Sequence, residues 1–159
     1  MRTKTHIGRT TAGEQGDVVV FLIGMRINRF WAVHRWLPVF LAMPMMLKEL
    51  SRDRSLGLLN HVLLSGSPRT YVVVQYWESK EKLLAYAAAP ESKHHPWWGR
   101  INRYLRNSKG HVGLWHETYV VPEGSYETIY GDMPEYGLAK AYGVASLAEG
   151  VHAKDRLKI

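Results

Sequence analysis

Cysteine is absent from the 159-residue chain, and this absence excludes several classes of protein at once. Without cysteine there are no disulfide scaffolds, no catalytic thiolates, no iron–sulfur clusters and no haem held by a thiolate. A chain that does without disulfides is typical of a reducing compartment, so we predict a cytoplasmic location.

Long apolar runs are also missing. The longest, from Leu37 to Leu47, contains Pro38 and Pro44. It has about half the length that a helix needs to cross a bilayer. Residues 1–17 are polar and lack the apolar centre of a signal peptide. The sequence therefore predicts no membrane partner.

Acidic residues are scarce compared with basic ones. Asp and Glu number 14, Lys and Arg number 21, and the formal net charge is +7. The positive charge is scattered along the chain, whereas a nucleic-acid site needs a dense patch. We interpret it as a basic surface and predict no nucleic-acid partner.

The apolar pattern predicts four strands and two helices in the order β, α, β, β, α, β. The strands are predicted at residues 17–28, 58–64, 70–77 and 111–121, and the helices at 29–53 and 79–89. This order is that of a ferredoxin-like split βαβ domain, an α+β fold with an antiparallel sheet. The two prolines indicate that the first helix is kinked or starts afresh at Pro38. We expect an extended arm, the domain with a wrapping C-terminal segment, and a flexible tail, at residues 1–16, 17–147 and 148–159.

The first predicted strand is apolar on both faces, which is typical of a central, fully buried strand. Alternation places Arg26 on the face of Leu22 and Gly24, with Phe21 and Ile23 opposite. Helices on one face leave the other bare, and a second copy packed sheet against sheet would cover it. The sequence therefore predicts a homodimer that forms a dimeric α+β barrel.

An imidazole and indole cluster follows the second helix, with His94, His95, Trp97 and Trp98 close together. Imidazole changes protonation near neutral pH and binds iron, and beside indoles it suits a small-molecule pocket. Adjacent histidines do not readily point at one target. Either one of them is a ligand or base, or the two form a plain surface pair.

Other candidate pocket residues are Arg26, His34, Trp77 and His116. Arg26 ends an apolar strand, so its guanidinium reaches solvent, a carboxylate or a ligand. His34 lies among aromatics and faces either a cavity or a half-buried hydrogen bond. His116 stands on the apolar face of the last strand, which suits a neutral base or a core hydrogen bond.

Motifs for most cofactors are missing. No closely spaced H-x-x-x-H or H-x-D pair and no Gly-rich phosphate loop occurs in the sequence. Haem stays compatible, because it needs only one imidazole and a large apolar slot.

Several stretches resemble a known family: VVVFLIGMRINRFWAVHRWLPVF, MLKEL, VQYWES, GLWHETYVVPEGSYETIYGDMP and GLAKA. They are similar to a subfamily named for a monooxygenase-like protein of fungal fumagillin biosynthesis. It lies within the dimeric α+β barrel superfamily of antibiotic-biosynthesis monooxygenases, haem-degrading monooxygenases and aldoxime dehydratases. The likeness runs from about Gly8 to Ala141. It implies a homodimer with a hydrophobic pocket between sheet and helices that takes a small hydrophobic organic substrate of secondary metabolism.

The resemblance implies two kinds of mechanism. Haem-degrading relatives place an axial histidine shortly after the second helix, where His94 or His95 stands here. Their first-strand asparagine falls near Met25, which argues against haem degradation. Cofactor-free relatives stabilise a substrate carbanion until oxygen reacts with it, a role that Trp77, Trp115 and His116 would suit.

From the residues and the resemblance together we predict a monooxygenase-like oxidative enzyme. Its catalytic residues would be His116 and His95, and any haem ligand would come from His94, His95 or His116. The pocket would be completed by Arg26, His34, Trp77, Trp97 and Trp98. The alternatives are a haem-dependent dehydratase resembling the aldoxime dehydratases, or a non-catalytic dimeric protein that binds haem or a hydrophobic metabolite.

Overall fold

The computed structural model describes residues 4–13, 16–88 and 109–147, together with the single positions 104, 106, 107 and 157. Its strands are β1 (Thr5–Ala12), β2 (Val18–Ile27), β3 (Leu58–Ser67), β4 (Thr70–Trp77), β5 (Val112–Val121), β6 (Tyr130–Pro134) and β7 (Val144–Ser146). Its α-helices are α1 (Val33–Arg52), α2 (Lys80–Ala88) and α3 (Gly137–Tyr142), and a 3-10 turn covers Arg54–Leu56.

The main sheet has four antiparallel strands in the order β3-β4-β2-β5. The apolar strand β2 lies inside it, where Ile23 pairs with Val73 of β4 and His116 of β5. Strand order and element order together are those of the split βαβ arrangement. The predicted α+β, ferredoxin-like fold is therefore confirmed.

Helices α1 and α2 cover one face of this sheet, which we call the inner face. It carries the odd-numbered residues of β2, such as Val19 and Ile23, because side chains alternate along a strand. Val19 packs with Leu50 of α1 and Leu83 of α2 in a buried cluster. Burial of these apolar side chains is the main force that holds the helices to the sheet.

Helix α1 begins at Val33 and continues through Pro38 and Pro44 to Arg52. The alternative in which it starts afresh at Pro38 is therefore wrong. Val39, Ala42, Met46 and Leu50 are buried along one stripe of this helix. That stripe packs on the inner face, so tertiary burial outweighs the hydrogen bonds that the prolines remove.

A second sheet of three strands, in the order β6-β1-β7, joins the two ends of the described chain. Thr10 of β1 pairs with Tyr130 on one side and with Ser146 on the other. Half of the predicted N-terminal arm, Thr5–Ala12, is thus a strand that has a neighbouring strand on each edge. The positions expected to form a flexible tail, 148–159, lie outside the described residues except for Leu157.

The segment that carries α3 packs against the opposite, outer face of the main sheet. The side-chain amide of Asn60 on β3 donates to the backbone oxygen of Gly137 at 2.8 Å. The ring hydroxyl of Tyr130 accepts a hydrogen bond from the backbone N–H of Ala139. This segment covers the part of the outer face near Asn60, while Leu64, Trp115 and Tyr119 of the same face are exposed in the described part of the chain.

Within the described ranges, no helix combines the length and apolar character needed to cross a membrane. The cytoplasmic location stays a prediction.

Candidate functional site

A cavity of about 400 Å³ lies between the inner face of the main sheet and the helices α1 and α2. The sheet supplies its floor and the helices supply its walls. Apolar side chains form most of its surface, among them Phe21, Ile23, Met43, Met46, Leu47, Leu50, Trp77, Leu83, Leu84 and Leu114. A chamber of this size with a few polar groups is the usual form of a small-molecule site.

Gln75 is the most deeply buried polar side chain at this cavity. Its residue is only 5% exposed, and it lies on β4 with its side chain toward the helices. Its amide oxygen accepts a hydrogen bond from the indole N–H of Trp77 at 2.9 Å. Trp77, itself 1% exposed, thereby fixes the orientation of the amide.

Two further polar side chains, those of His116 and Thr118, come from β5 on the other side of β2. The imidazole of His116 lies 5.7 Å from the ring of Phe21, centre to centre. Both residues are exposed, so they border the open side of the cavity. Gln75 and Thr118 pair with the same residue, Phe21, which places their backbones about 10 Å apart across two strand spacings.

Of the residues predicted from the sequence, Trp77 and His116 meet at this cavity. Trp115 borders it through β5, although its indole packs beside Gly24 on the outer face. His116 had been expected on an apolar face, and it lies there beside Phe21. The structure adds that this end of the face is open to solvent.

Arg26 and His34 are placed elsewhere. Arg26 is exposed at the end of β2, on the outer face. His34 is exposed near the start of α1, and its backbone oxygen accepts a hydrogen bond from the hydroxyl of Tyr104. Neither residue lines the cavity. Strand alternation places Arg26 on the opposite face of the sheet, and His34 lies in the first turn of α1, away from the helix residues that line the cavity.

The predicted cluster of His94, His95, Trp97 and Trp98 lies outside the described residues. Within the described ranges, no group of three or more metal-binding side chains is assembled.

A second cavity of about 280 Å³ lies between α1 and the strands β3 and β4. It shares Ile23, Met43 and Leu47 with the first cavity. His61 borders it, and burial together with the nearby ammonium of Lys140 lowers the pKa of this histidine. The two cavities are thus neighbours under α1, separated by three apolar side chains.

Gln75 is the site residue that sequence reasoning missed. The alternation of β4 places it with Val73 and Trp77 on the face that packs against helices. A carboxamide on such a face was the available signal, because a buried amide needs a partner.

A ferredoxin-like α+β domain with an apolar cavity between its sheet and its helices is the class of protein that these observations define. Residues 18–138 match the family described as Monooxygenase af470-like, and the chain belongs to that family. This match includes the main sheet, α1, α2 and the residues described above at the first cavity.

A curated relative, Monooxygenase af470 from Aspergillus fumigatus, is 32% identical over 123 residues. The match covers 73% of this chain and 43% of the relative, so this chain spans less than half of the relative's length.

A solved structure of aldoxime dehydratase (OxdRE) in complex with butyraldoxime has a similar fold, with a TM-score of 0.62. The two are 13% identical, and the match covers 90% of this chain and 43% of the dehydratase chain. At this identity the likeness concerns the fold alone.

Proposed function

We propose that this protein is an oxidative enzyme of the monooxygenase-like kind, and that the first cavity holds a small hydrophobic organic substrate. The observation that carries the proposal is the cavity itself, an apolar chamber that His116 and Gln75 reach from two different strands. Membership of a family named for a monooxygenase supports the reaction class. Fold alone would not support it, because one fold hosts many functions.

A cofactor-free reaction is the form that the described residues support best. The imidazole of His116 takes a proton from a substrate carbon next to a carbonyl group, leaving an enolate. The enolate carbon gives its electron pair to molecular oxygen, and the returning proton completes a hydroperoxide. Loss of water from the hydroperoxide leaves a new carbonyl group. The apolar walls shield the enolate on the sides formed by the sheet and the helices, while His116 stands at the open side of the cavity.

Haem is the second candidate, and His116 is the observation that favours it. Its imidazole would hold the iron, since haem binding needs one imidazole nitrogen and an apolar slot. When bound, haem would supply oxygen chemistry or the dehydratase chemistry predicted as an alternative. His94 and His95 stay predicted ligands outside the described residues.

Spectroscopy and oxygen uptake separate these candidates. Purified protein would first be titrated with haemin and its absorption spectrum recorded. Oxygen consumption would then be measured, with and without haemin, in the presence of ketones that carry an acidic C–H group, such as 2-tetralone. We expect the rate of oxygen consumption without haemin to saturate with ketone concentration and to fall at least tenfold in His116→Ala. A Soret band that disappears in His116→Ala would support the haem form instead. If the protein binds the ketone tightly but consumes no oxygen with or without haemin, the result would support the alternative of a non-catalytic binding protein.

We also propose the homodimer, with the outer face as its interface. Leu64, Trp115 and Tyr119 project from this face with exposures of 44%, 37% and 48%. They lie on β3 and β5, on either side of the half-buried Leu22 and Val72. Together they form an apolar surface that a second copy would cover.

Light scattering tests the dimer. We expect the mass of two chains for the native protein and of one chain for Leu64→Lys, which would place a charge in the interface. Leu84→Lys on α2 is the matched control, because Leu84 is also exposed but lies on the helical side. A single-chain mass for the native protein at micromolar concentration would refute the proposal.

A further inference from the structure

The carboxamide of Gln75 has an unused half. Its oxygen accepts from the indole N–H of Trp77 at 2.9 Å. An indole N–H only donates, so the oxygen must face it and the NH2 group must face away. In the described part of the chain, no hydrogen bond from this NH2 group is found, and the residue is 5% exposed at the cavity.

The residue as a whole is buried, but its NH2 group keeps some accessible surface at the cavity, where an acceptor on a ligand can reach it. Polar groups in apolar surroundings are nearly always paired. The same sheet offers a comparison in Asn60, which is 7% exposed. Its NH2 group donates to the backbone oxygen of Gly137 at 2.8 Å. One buried carboxamide thus has its donor satisfied by the protein, whereas the other presents its donor to the apolar cavity.

We propose that Gln75 binds the substrate, and that its NH2 group donates a hydrogen bond to an oxygen atom of a cyclic ketone or phenol in the first cavity. This inference rests on the proposed function, since it takes the first cavity as the substrate site. Trp77 is the positioning residue, because its N–H holds the amide with the donor inward.

The geometry also orients the substrate. Gln75 on β4 pairs with Phe21, and His116 on β5 pairs with Ile23 two residues further along β2, so their backbones are roughly 12 Å apart on opposite sides of β2. A molecule whose oxygen meets Gln75 would direct its adjacent carbon across Phe21 and Ile23 toward the imidazole. In the oxidation proposed above, the same NH2 group would stabilise the negative charge that develops on the enolate oxygen.

The experiment compares 2-tetralone with tetralin, two bicyclic molecules of nearly the same shape, of which only the first has a carbonyl oxygen. Their affinities would be measured by calorimetry without oxygen, so that no turnover occurs. We expect the native protein to prefer 2-tetralone by about two- to tenfold, the worth of one hydrogen bond. Gln75→Met should lose this preference and keep its affinity for tetralin.

Asn60→Leu is the matched control. It removes another buried carboxamide of the same sheet at a position that does not line the cavity, so the preference for 2-tetralone should persist. Should Gln75→Met fail to fold, Gln75→Glu measured at alkaline pH, where its carboxylate is ionised, keeps an acceptor for the indole N–H and presents no donor to the ligand. The preference should disappear there too.

A second readout uses the native protein alone. In the ¹⁵N correlation spectrum, the side-chain NH2 signal of Gln75 should shift on addition of 2-tetralone and move much less with tetralin. Trp77→Phe should weaken the response, because the amide is then free to turn over. A merely structural glutamine would respond to both ligands alike.

The failures are distinguishable. Equal affinity of the native protein for both ligands, or a preference that survives in Gln75→Met, would overturn the role of Gln75 and leave the cavity as an apolar ligand site. If neither ligand binds the native protein, the proposed substrate site fails and the role of Gln75 fails with it.

Discussion

The two faces of the main sheet use the same kinds of residue in different ways. Each face has a tryptophan and a buried carboxamide, namely Trp77 and Gln75 on the inner face and Trp115 and Asn60 on the outer face. The outer carboxamide is bonded to the backbone of the chain's own C-terminal segment. The inner one is held by Trp77 and keeps its donor for the cavity. The difference teaches that burial alone does not mark a functional residue, whereas burial with an unused donor does.

The largest difference should appear between the two tryptophans. Trp77→Ala removes a side chain that is 1% exposed and leaves a void in the core, so we expect a loss of about 3–5 kcal/mol in the free energy of unfolding. Trp115→Ala should cost about 1–2 kcal/mol, because part of that ring is already exposed. Urea unfolding at matched protein concentration measures both. Equal losses would show that the faces are equally packed.

The outer face should tolerate crowding poorly at one place. A Cβ atom at Gly24 would lie 2.5 Å from two indole atoms of Trp115. We expect Gly24→Ala to cost about 1–3 kcal/mol of stability through overpacking. The double variant Gly24→Ala/Trp115→Ala should lose less than the sum of the single changes. Strict additivity in this thermodynamic cycle would mean that the two residues do not compete for space.

The outer carboxamide should matter for stability and not for ligand binding. Asn60→Leu leaves the backbone oxygen of Gly137 without its donor, at an expected cost of about 1–2 kcal/mol. Thermal unfolding measures the loss, and hydrogen exchange should show faster opening of α3 and β6. If exchange in α3 is unchanged, the hydrogen bond does not hold this segment to the sheet.

The smallest effect concerns pH, at His61. Burial, and then the charge of Lys140, lowers the pKa of His61 below its ordinary value of about 6.5. As the pH falls through this value, the unfolded chain takes up a proton before the folded chain does, so stability falls with it. The contribution of neutral His61 to the free energy of unfolding is complete above about pH 6.5 and is lost as the pH falls below that value.

We therefore expect His61→Gln to lose less stability than the native protein when the pH changes from 7.5 to 5. Lys140→Gln is the control, and its loss of stability at pH 5 should lie between that of the native protein and that of His61→Gln. Denaturant unfolding at the two pH values measures both. An identical acid loss in all three proteins would exclude His61 as a source.

The main sheet could be predicted from the sequence because its signals are local. The period of β2 separates Phe21 and Ile23 from Leu22 and Gly24, and the structure places these pairs on opposite faces. The second sheet could not be predicted in this way. Its central strand, THIGRTTA, is polar, and its order depends on partners more than 115 positions later in the chain.

The candidate site was predictable only in part for a similar reason. His116 and Trp77 have side chains that suggest chemistry, so composition brings them to notice. Arg26 and His34 have such side chains too, but strand alternation and the start of α1 place them away from the cavity. Gln75 draws attention only once its burial and the bond from Trp77 are known.

Strand β1 links events at the two extremes of the described chain. Each of its edges is occupied by a strand from beyond position 129, and the hydroxyl of Thr128 is hydrogen-bonded to the hydroxyl of Thr11 and to the backbone N–H of Ala12. Proteolytic removal of residues 130–147 would therefore strip β1 of both hydrogen-bonding neighbours at once. Loss of β6 and β7 would therefore destabilise β1, and we expect these three strands to unfold as one cooperative unit.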